Sequence, residues 1–423
     1  MTDPTKHETK ARTGHSVGAV IALLSGAHFS HHVLTALIVP LLPFIRDEFG
    51  LSYAQAGLVT SAFTIAYGIG QLPAGWLADR IGPRYLVLLG ISGVAAAAMV
   101  VGVSPLFSVM IAGLLLMGIT GGGYHPASST VISNLVHPSR RGQALGVHII
   151  GGSTSHFLAP LMAAGLVTAF GWRGTFLTLS VPVAALGFVL FVMIHRRMVR
   201  GGHATSPSTA GVDIDSRGEA DDRAAEERAR AKPGRRYGAL HMALFLILTG
   251  IMGAGVASAI PYLPLFLVDS RGIDERVAGG LLSVIFAAGF FAAPLGGLLS
   301  DRLGRVPVLV VTGVLTAPAI VLAVIAPFPV PYAIALLFIG VLIFVRMPTS
   351  EAHIASEVSP RNRGTILGIY FFSGMEGSAV LTPLLGAAID RWGFRPAMTG
   401  MGGLILFVVV ACGAGMWAIG RRR

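Results

Sequence analysis

The chain has 423 residues, 53% of them hydrophobic and only 12% charged, with mean hydropathy +0.73. Soluble proteins carry about 25% charge, so the roughly three soluble domains that length alone suggests are excluded. The net charge of +11 would suit a nucleic-acid partner on a soluble chain, but here Lys and Arg fall in short turns between apolar runs, and membrane topology accounts for them instead.

In chain order, residues 1–16 form a polar tail. No small-residue cleavage signature follows it, so the next apolar run reads as a retained helix rather than a signal peptide. Twelve apolar segments follow: 17–44, 53–78, 85–103, 105–135, 142–169, 174–194, 239–267, 277–299, 306–326, 330–356, 364–389 and 396–419. Each is long enough to cross a hydrocarbon core of about 30 Å. They are continuous rather than alternating, which predicts an all-α membrane protein of twelve transmembrane helices and not a barrel. Residues 17–194 make one six-helix bundle and residues 239–419 a second. Between them, residues 195–238 are charged and nearly free of large apolar side chains, the composition of a flexible linker. Interleaved acids and bases at 220–231 permit a short helix there. A basic tail, residues 420–423, ends the chain. The single cysteine, Cys412, excludes an internal disulfide.

Orientation follows from Lys and Arg. With both termini cytoplasmic, inner segments hold 24 basic residues and outer turns hold 6. That asymmetry predicts a multi-pass plasma-membrane protein, in a bacterium an inner-membrane one.

One long unit is written twice. GWLADRIGPR at 75–84 recurs as GLLSDRLGRV at 297–306, so Gly75, Asp79, Arg80 and Gly82 map onto Gly297, Asp301, Arg302 and Gly304 with a shift of 222. The same shift carries Pro126 to Pro348, Arg141-Gly142 to Arg363-Gly364 and Gly146 to Gly368, and a shift of 221 carries Pro40/Pro43 to Pro261/Pro264. Two six-helix units with an acid-Arg-Gly turn after the second helix of each, joined by a basic linker, resemble the major facilitator superfamily. The resemblance covers the chain from about residue 17 and implies a monomeric transporter that rocks two halves about a central site. Within that family, HFSHHVLTALIVPLLPFIRDEFGLSYAQAGLVT and GGGYHPASSTVI resemble the fosmidomycin-resistance branch. His32, Ala127 and Thr130 depart from that branch, which has an acid, an acid and an Arg there. In the family, the turn cluster of Gly75, Asp79, Arg80, Arg84, Asp301, Arg302 and Arg305 closes the inner face when the site opens outward.

Charges at membrane depth are costly, about 2.5–3.5 kcal/mol on insertion scales, so they face a partner or a wet cavity. Arg346 lies near the middle of the tenth segment and Glu376 near the middle of the eleventh. They are expected to pair, or Arg346 to grip an anionic substrate with its planar fork. In the first half, His28 and His32 share a helix face, with His31 beside them. His125 follows Gly121-Gly122-Gly123, a run that would bend the fourth helix and free carbonyls for a ligand. His32, His28 and Glu376 are the candidate proton carriers. Arg346, His125, Tyr124 and Tyr262 are the candidate substrate contacts. A metal on His28 and His32 is chemically permitted, but no carboxylate or thiolate stands near them in sequence, so neither metal nor cofactor is expected. Gly253-Ala254-Gly255 sits in an apolar helix with no strand before it and is no dinucleotide fingerprint. No nucleophile–base pair emerges, which argues against an enzyme.

The reading is a secondary transporter for a small organic solute, anionic or amphipathic, by proton-coupled efflux. Uptake of an organic anion by proton symport is the alternative. A sensor or assembly partner of the same fold is the alternative outside transport.

Overall fold

The computed structural model describes residues 21–135, 141–200 and 238–421, and all of their regular structure is helical. Twelve rods are built from these residues. α1 is residues 21–36, continued after a turn by Leu42–Phe49; α2 is Tyr53–Gln71 with Ala74–Ile81. α3 joins Pro83–Leu88 to Val94–Gly102 through a π turn at Leu89–Gly93; α4 is Phe107–Gly122 with Tyr124–Leu135. α5 and α6 share the unbroken run Arg141–Arg200, divided at Gly171 (φ 66°, ψ 177°), a backbone shape open to glycine. α7 is Ala239–Ala259 with Tyr262–Arg271. α8 comprises Glu275–Gly280, Leu282–Ala287 and Gly289–Leu303. α9 is Arg305–Ile325, α10 Val330–Glu357, α11 Pro360–Trp392 and α12 Phe394–Arg421.

Among the described residues, nine helical stretches are long and apolar enough to cross a membrane, one of them holding both α5 and α6. The remaining two rods, α1 and α2, carry more polar side chains and, in α1, begin outside the described residues. Large apolar side chains, Val181, Phe188, Phe290 and Phe407 among them, are exposed along the rods. Such a surface suits lipid and not water. α6 runs to Arg200, past the predicted end of the first bundle at 194, and Phe191 stacks on His195 along this extension. Residues 201–237, with the short helix expected at 220–231, lie outside the described residues.

The internal repeat is visible in the backbone. α1 breaks before Pro43 and α7 before Tyr262, at the two proline pairs. The signature turns match closely: Gly82 has φ 92° and ψ 143°, Gly304 φ 89° and ψ 147°. Only glycine takes that shape without strain. Each ends one helix and starts the next without a loop between them.

The two halves, α1–α6 and α7–α12, meet along two seams, α2 against α11 and α5 against the first part of α8. Both seams converge on the end of the molecule that carries Arg46. There Gly57 lies against Tyr262 and Pro383, and Gly386 against Tyr53, with no space for a β-carbon: one at Gly386 would stand 2.5 Å from the Tyr262 hydroxyl. On the second seam Ser283 donates to the Phe157 carbonyl at 2.7 Å and Phe157 meets Phe290 edge-on. Toward the opposite, Gly82 end, the halves share only a long hydrogen bond from Gln71 Nε2–H to Met375 Sδ at 4.0 Å among the described residues.

Replacing Gly386 by Val is therefore expected to push α11 off α2 at the Arg46 end while each half stays folded. Spin labels at Leu58 and Leu384 would report a longer separation; an unchanged distance distribution would refute this account of the seam.

Candidate functional site

The first half holds six histidines in one nest. His28 and His32 come from α1, His31 from between them, His125 from α4, and His148 and His156 from α5. Ring centroids of His28 lie 4.8 Å from His32, 5.0 Å from His125 and 4.3 Å from His148, and His32 lies 4.8 Å from His156. Local sequence brings them together. Gly152 lets α5 settle onto α1, since a β-carbon there would stand 2.6 Å from the His28 ring. The π turn of α3 presents the Gly90 carbonyl, which accepts His31 Nδ1–H at 2.6 Å. Tyr67 Oη lies 3.4 Å from His31 Nε2, close enough to donate to it. His28 donates Nδ1–H to the His148 carbonyl at 2.9 Å, and its buried Nε2 has no partner. Tyr124 stacks on His31 and donates to the Leu24 carbonyl at 3.2 Å, so it backs the nest from the core. Two positive charges in the nest would sit about 5 Å apart with little water between them. The nest therefore suits a single cation.

The Gly121–Gly123 run plays a different part from the one expected. α4 pauses only at Gly123, and Gly121 and Gly122 bring α4 against Tyr67 and Gln71 of α2. Close packing, rather than freed carbonyls, is their use.

In the second half, Arg346 of α10 reaches α7 and α11. Its Nη1 donates to the Thr249 carbonyl and the Tyr370 hydroxyl, both at 3.5 Å. Gly253 leaves the space the guanidinium fills: a β-carbon there would stand 3.2 Å from Nη1. A small pocket beside it is lined by Met252, Val256, Thr316, Ile339 and Leu342. The expected pair with Glu376 does not form. Glu376 points from α11 to Gly68 of α2, on the seam between halves, and its buried Oε1 has no hydrogen-bond partner. α11 turns that side chain across to the other half, away from α10. Arg346 makes no ion pair among the described residues.

Tyr262 lies at the Arg46 end and not beside Arg346. Its hydroxyl donates to the Thr382 carbonyl at 2.6 Å and sits 3.2 Å from the Tyr53 carbonyl. It belongs to a polar latch that sequence reasoning missed. Arg46 pairs with Asp269 across the halves, with Nη2 to Oδ1 at 2.8 Å, and Tyr53 Oη donates to Asp269 at 2.6 Å. Asp390 of α11 accepts the backbone N–H groups of Tyr53 and Ala54, both at 2.9 Å. These are first-turn donors of α2, at the positive end of its dipole. Beside the latch, within the first half, Glu48 receives Trp172 Nε1–H at 2.6 Å and pairs with Arg173, which holds its carboxyl below the usual range. This clamp is complete above the ordinary carboxylate range and is lost as pH falls through the depressed value. The sequence signal for the latch was present but weak: few charged residues stand at this end, and four of them, Arg46, Glu48, Arg173 and Asp269, form cross-helix pairs.

At the Gly82 end, Arg80 lies over the Trp76 ring at 4.3 Å and Arg84 over Tyr85 at 4.9 Å. Arg80, Arg84, Asp301, Arg302 and Arg305 make no ion pair among the described residues. The side chain of Asp79 falls outside them, and Gly75 lies in the second piece of α2.

The family model of the Major Facilitator Superfamily matches residues 24–375 and, in a second overlapping match, 245–423. The chain belongs to this family. It is 25% identical over 397 residues to the fosmidomycin resistance protein of Escherichia coli K12, covering 90% of this chain and 88% of that one. It is 27% identical over 401 residues to the multidrug resistance protein MdtG of Salmonella dublin, covering 91% and 90%. It is 28% identical over 296 residues to the probable sulfoacetate transporter SauU of Cupriavidus necator, covering 70% and 66%. Among solved structures, a bacterial homolog of the human lysosomal transporter Spinster, inward-facing and unoccupied, superposes with TM-score 0.74 at 16% identity over 96% of this chain and 97% of that one. Peptide transporter POT with sulfate gives TM-score 0.74 at 14% identity over 95% of each chain. The Major Facilitator protein described here is thus a multi-pass membrane transporter and not an enzyme, with the twelve-helix, two-bundle fold its sequence predicts.

Asp390→Asn removes the charge that the α2 N-terminus binds. The latched arrangement is expected to lose several-fold in population, read as faster thiol labelling of a cysteine placed at Leu385, which is buried near the latch. Labelling at the wild-type rate would show that the latch contributes nothing.

Proposed function

We propose that the chain is a proton-coupled transporter of a small organic anion across the bacterial inner membrane, working as an exporter, with both termini cytoplasmic. The observation that carries this reading is Arg346: a guanidinium at membrane depth, fitted against Gly253, with only two long hydrogen bonds and no ion pair among the described residues, the Glu351 carboxylate of its own helix acting on it only from beyond contact. An unpaired cation in that setting is costly unless a substrate anion completes it. Relatives named for sulfoacetate and for L-galactonate, both anions, are consistent with this. Export is favoured by relatives named for fosmidomycin and chloramphenicol resistance.

On this reading the Arg46 end faces outward, and the arrangement is the inward-open one. Arg46, Asp269, Tyr53, Asp390 and Tyr262 then close the outer gate. The Gly82 end, with Asp79, Arg80, Arg84, Asp301, Arg302 and Arg305, parts on the cytoplasmic side and closes when the outer latch opens. Glu376 is the coupling group. Its unpartnered carboxyl lies on the seam that must open and shut, so water reaches it in one state and is stripped away in the other. Proton uptake and release in step with the seam is the chemistry this position permits. His125 and the nest occupy the matching region of the first half.

Two variants test the reading in proteoliposomes with an imposed pH gradient and a panel of carboxylates, sulfonates and phosphonates. Arg346→Ala is expected to cut anion flux by about a hundredfold or more, in line with the loss of a charge-assisted pair. Arg346→Lys should restore only part, because an ammonium lacks the fork. Glu376→Gln should keep exchange of anion for anion but lose flux driven by the pH gradient. Gradient-driven flux that survives Glu376→Gln would remove Glu376 from coupling, and flux indifferent to Arg346→Ala would sink the anion site.

A further inference from the structure

Three imidazoles of the nest form a ligand set that the transport reading leaves unused. The candidate nitrogens of His28, His32 and His125 all lie within 4.8 Å of one another, and no carboxylate or thiol belongs to the group. His28 is 5% exposed. Its Nδ1–H is held by the His148 carbonyl, which fixes the tautomer and leaves Nε2 as a buried lone pair with no partner. Backbone-oriented histidines of this kind are the usual metal ligands, since a carbonyl bonded to one ring nitrogen sets the ring and raises the basicity of the other. The sequence showed only two ligands one helical turn apart. The fold adds His125 from α4 and sets His156 from α5 against His32 as a neighbouring fourth imidazole.

We propose that His28, His32 and His125 bind one divalent first-row transition-metal ion, of the zinc, cobalt, nickel or copper type, in the first half of the membrane domain. All-imidazole sets favour these ions over calcium or magnesium, which take oxygen ligands. Zinc–nitrogen bonds of about 2.0–2.1 Å in a tetrahedron set ligand nitrogens roughly 3.4 Å apart. The set, with its nitrogens within 4.8 Å of one another, is wider than that, so the rings must turn inward to take the ion. Three neutral ligands leave the double charge of the ion uncompensated, so its fourth position takes water, hydroxide or a small anion. The site stands whether or not Arg346 binds a substrate.

The test uses the full chain, purified without a polyhistidine tag, in nanodiscs. Titration with Co2+ and Zn2+, with metal content measured after desalting, is expected to give one tightly bound ion per chain. His32→Ala and His125→Ala should each weaken binding at least tenfold. His195→Ala, whose ring stacks on Phe191 outside the nest, should leave binding unchanged. Gel filtration reports whether each variant stays folded. Should the variants fail to fold, Cu2+ bound to the wild type decides the matter, because its electron-spin resonance counts the coordinated imidazole nitrogens: three or four support the site, and fewer overturn it. Absence of saturable binding to the wild type in the micromolar range also overturns it, as does undiminished binding to a folded His32→Ala, His125→Ala double variant.

Discussion

The arrangement of the whole molecule depends on a small set of bonds at one end. Asp269 and Asp390 belong to the second half, and both reach the first: Asp269 to Arg46 and the Tyr53 hydroxyl, Asp390 to the first-turn N–H groups of α2. A helix N-terminus and a carboxylate make a charge-assisted contact that needs no long side chain to be ordered. The same contact is also reversible. It lies at the water-exposed rim, where its energy is modest and screened, and that is the strength a rocking interface requires.

The apolar seams set where the halves bend about the latch. Gly57 and Gly386 bring α2 and α11 into backbone contact, and small residues at such crossings are how membrane helices approach without a hydrophobic drive between them. Glu376 interrupts this close contact at the level of Gly68. It places a carboxyl with an unpartnered buried oxygen between the halves, the least satisfied point of the seam.

Much of this was legible in the sequence. Hydropathy gave twelve runs, and most of their described boundaries fall near helix ends, because in lipid every backbone group must be satisfied inside a helix; α1 and α6 run on past the predicted 44 and 194 to Phe49 and Arg200. The duplicated turn was legible because a glycine with positive φ is irreplaceable, and Gly82 and Gly304 carry nearly the same angles. What the sequence hid were contacts between rods. Arg346 and Glu376 sit at similar depth on neighbouring helices, yet the rotation of α11 points Glu376 into the opposite half. Tyr262 stands between Pro261 and Pro264, after the break in α7, and so reaches the contacts at the Arg46 end. His31, hidden between His28 and His32, is tied to α3 by a π-turn carbonyl that no hydropathy pattern reveals.

The duplication also explains where the polar groups gather. With the shifts of 221 and 222 that relate the halves, His28 corresponds to Thr249, His32 to Gly253, Tyr124 to Arg346 and His148 to Tyr370. In the second half, Arg346 touches the other three members of its set; in the first, Tyr124 and His32 both pack on His28, and His148 stacks on it. The imidazole nest and the guanidinium site are therefore one location written twice, carried to matching depth by the fold and then given different chemistry. Gly253 is the clearest trace of that divergence. Where the first half places an imidazole, the second removes the side chain altogether, and the vacated volume is what the longer Arg346 occupies. An imidazole set in one half and a guanidinium in the other line equivalent helix crossings of the repeat, so the two halves differ there in side chains and not in framework.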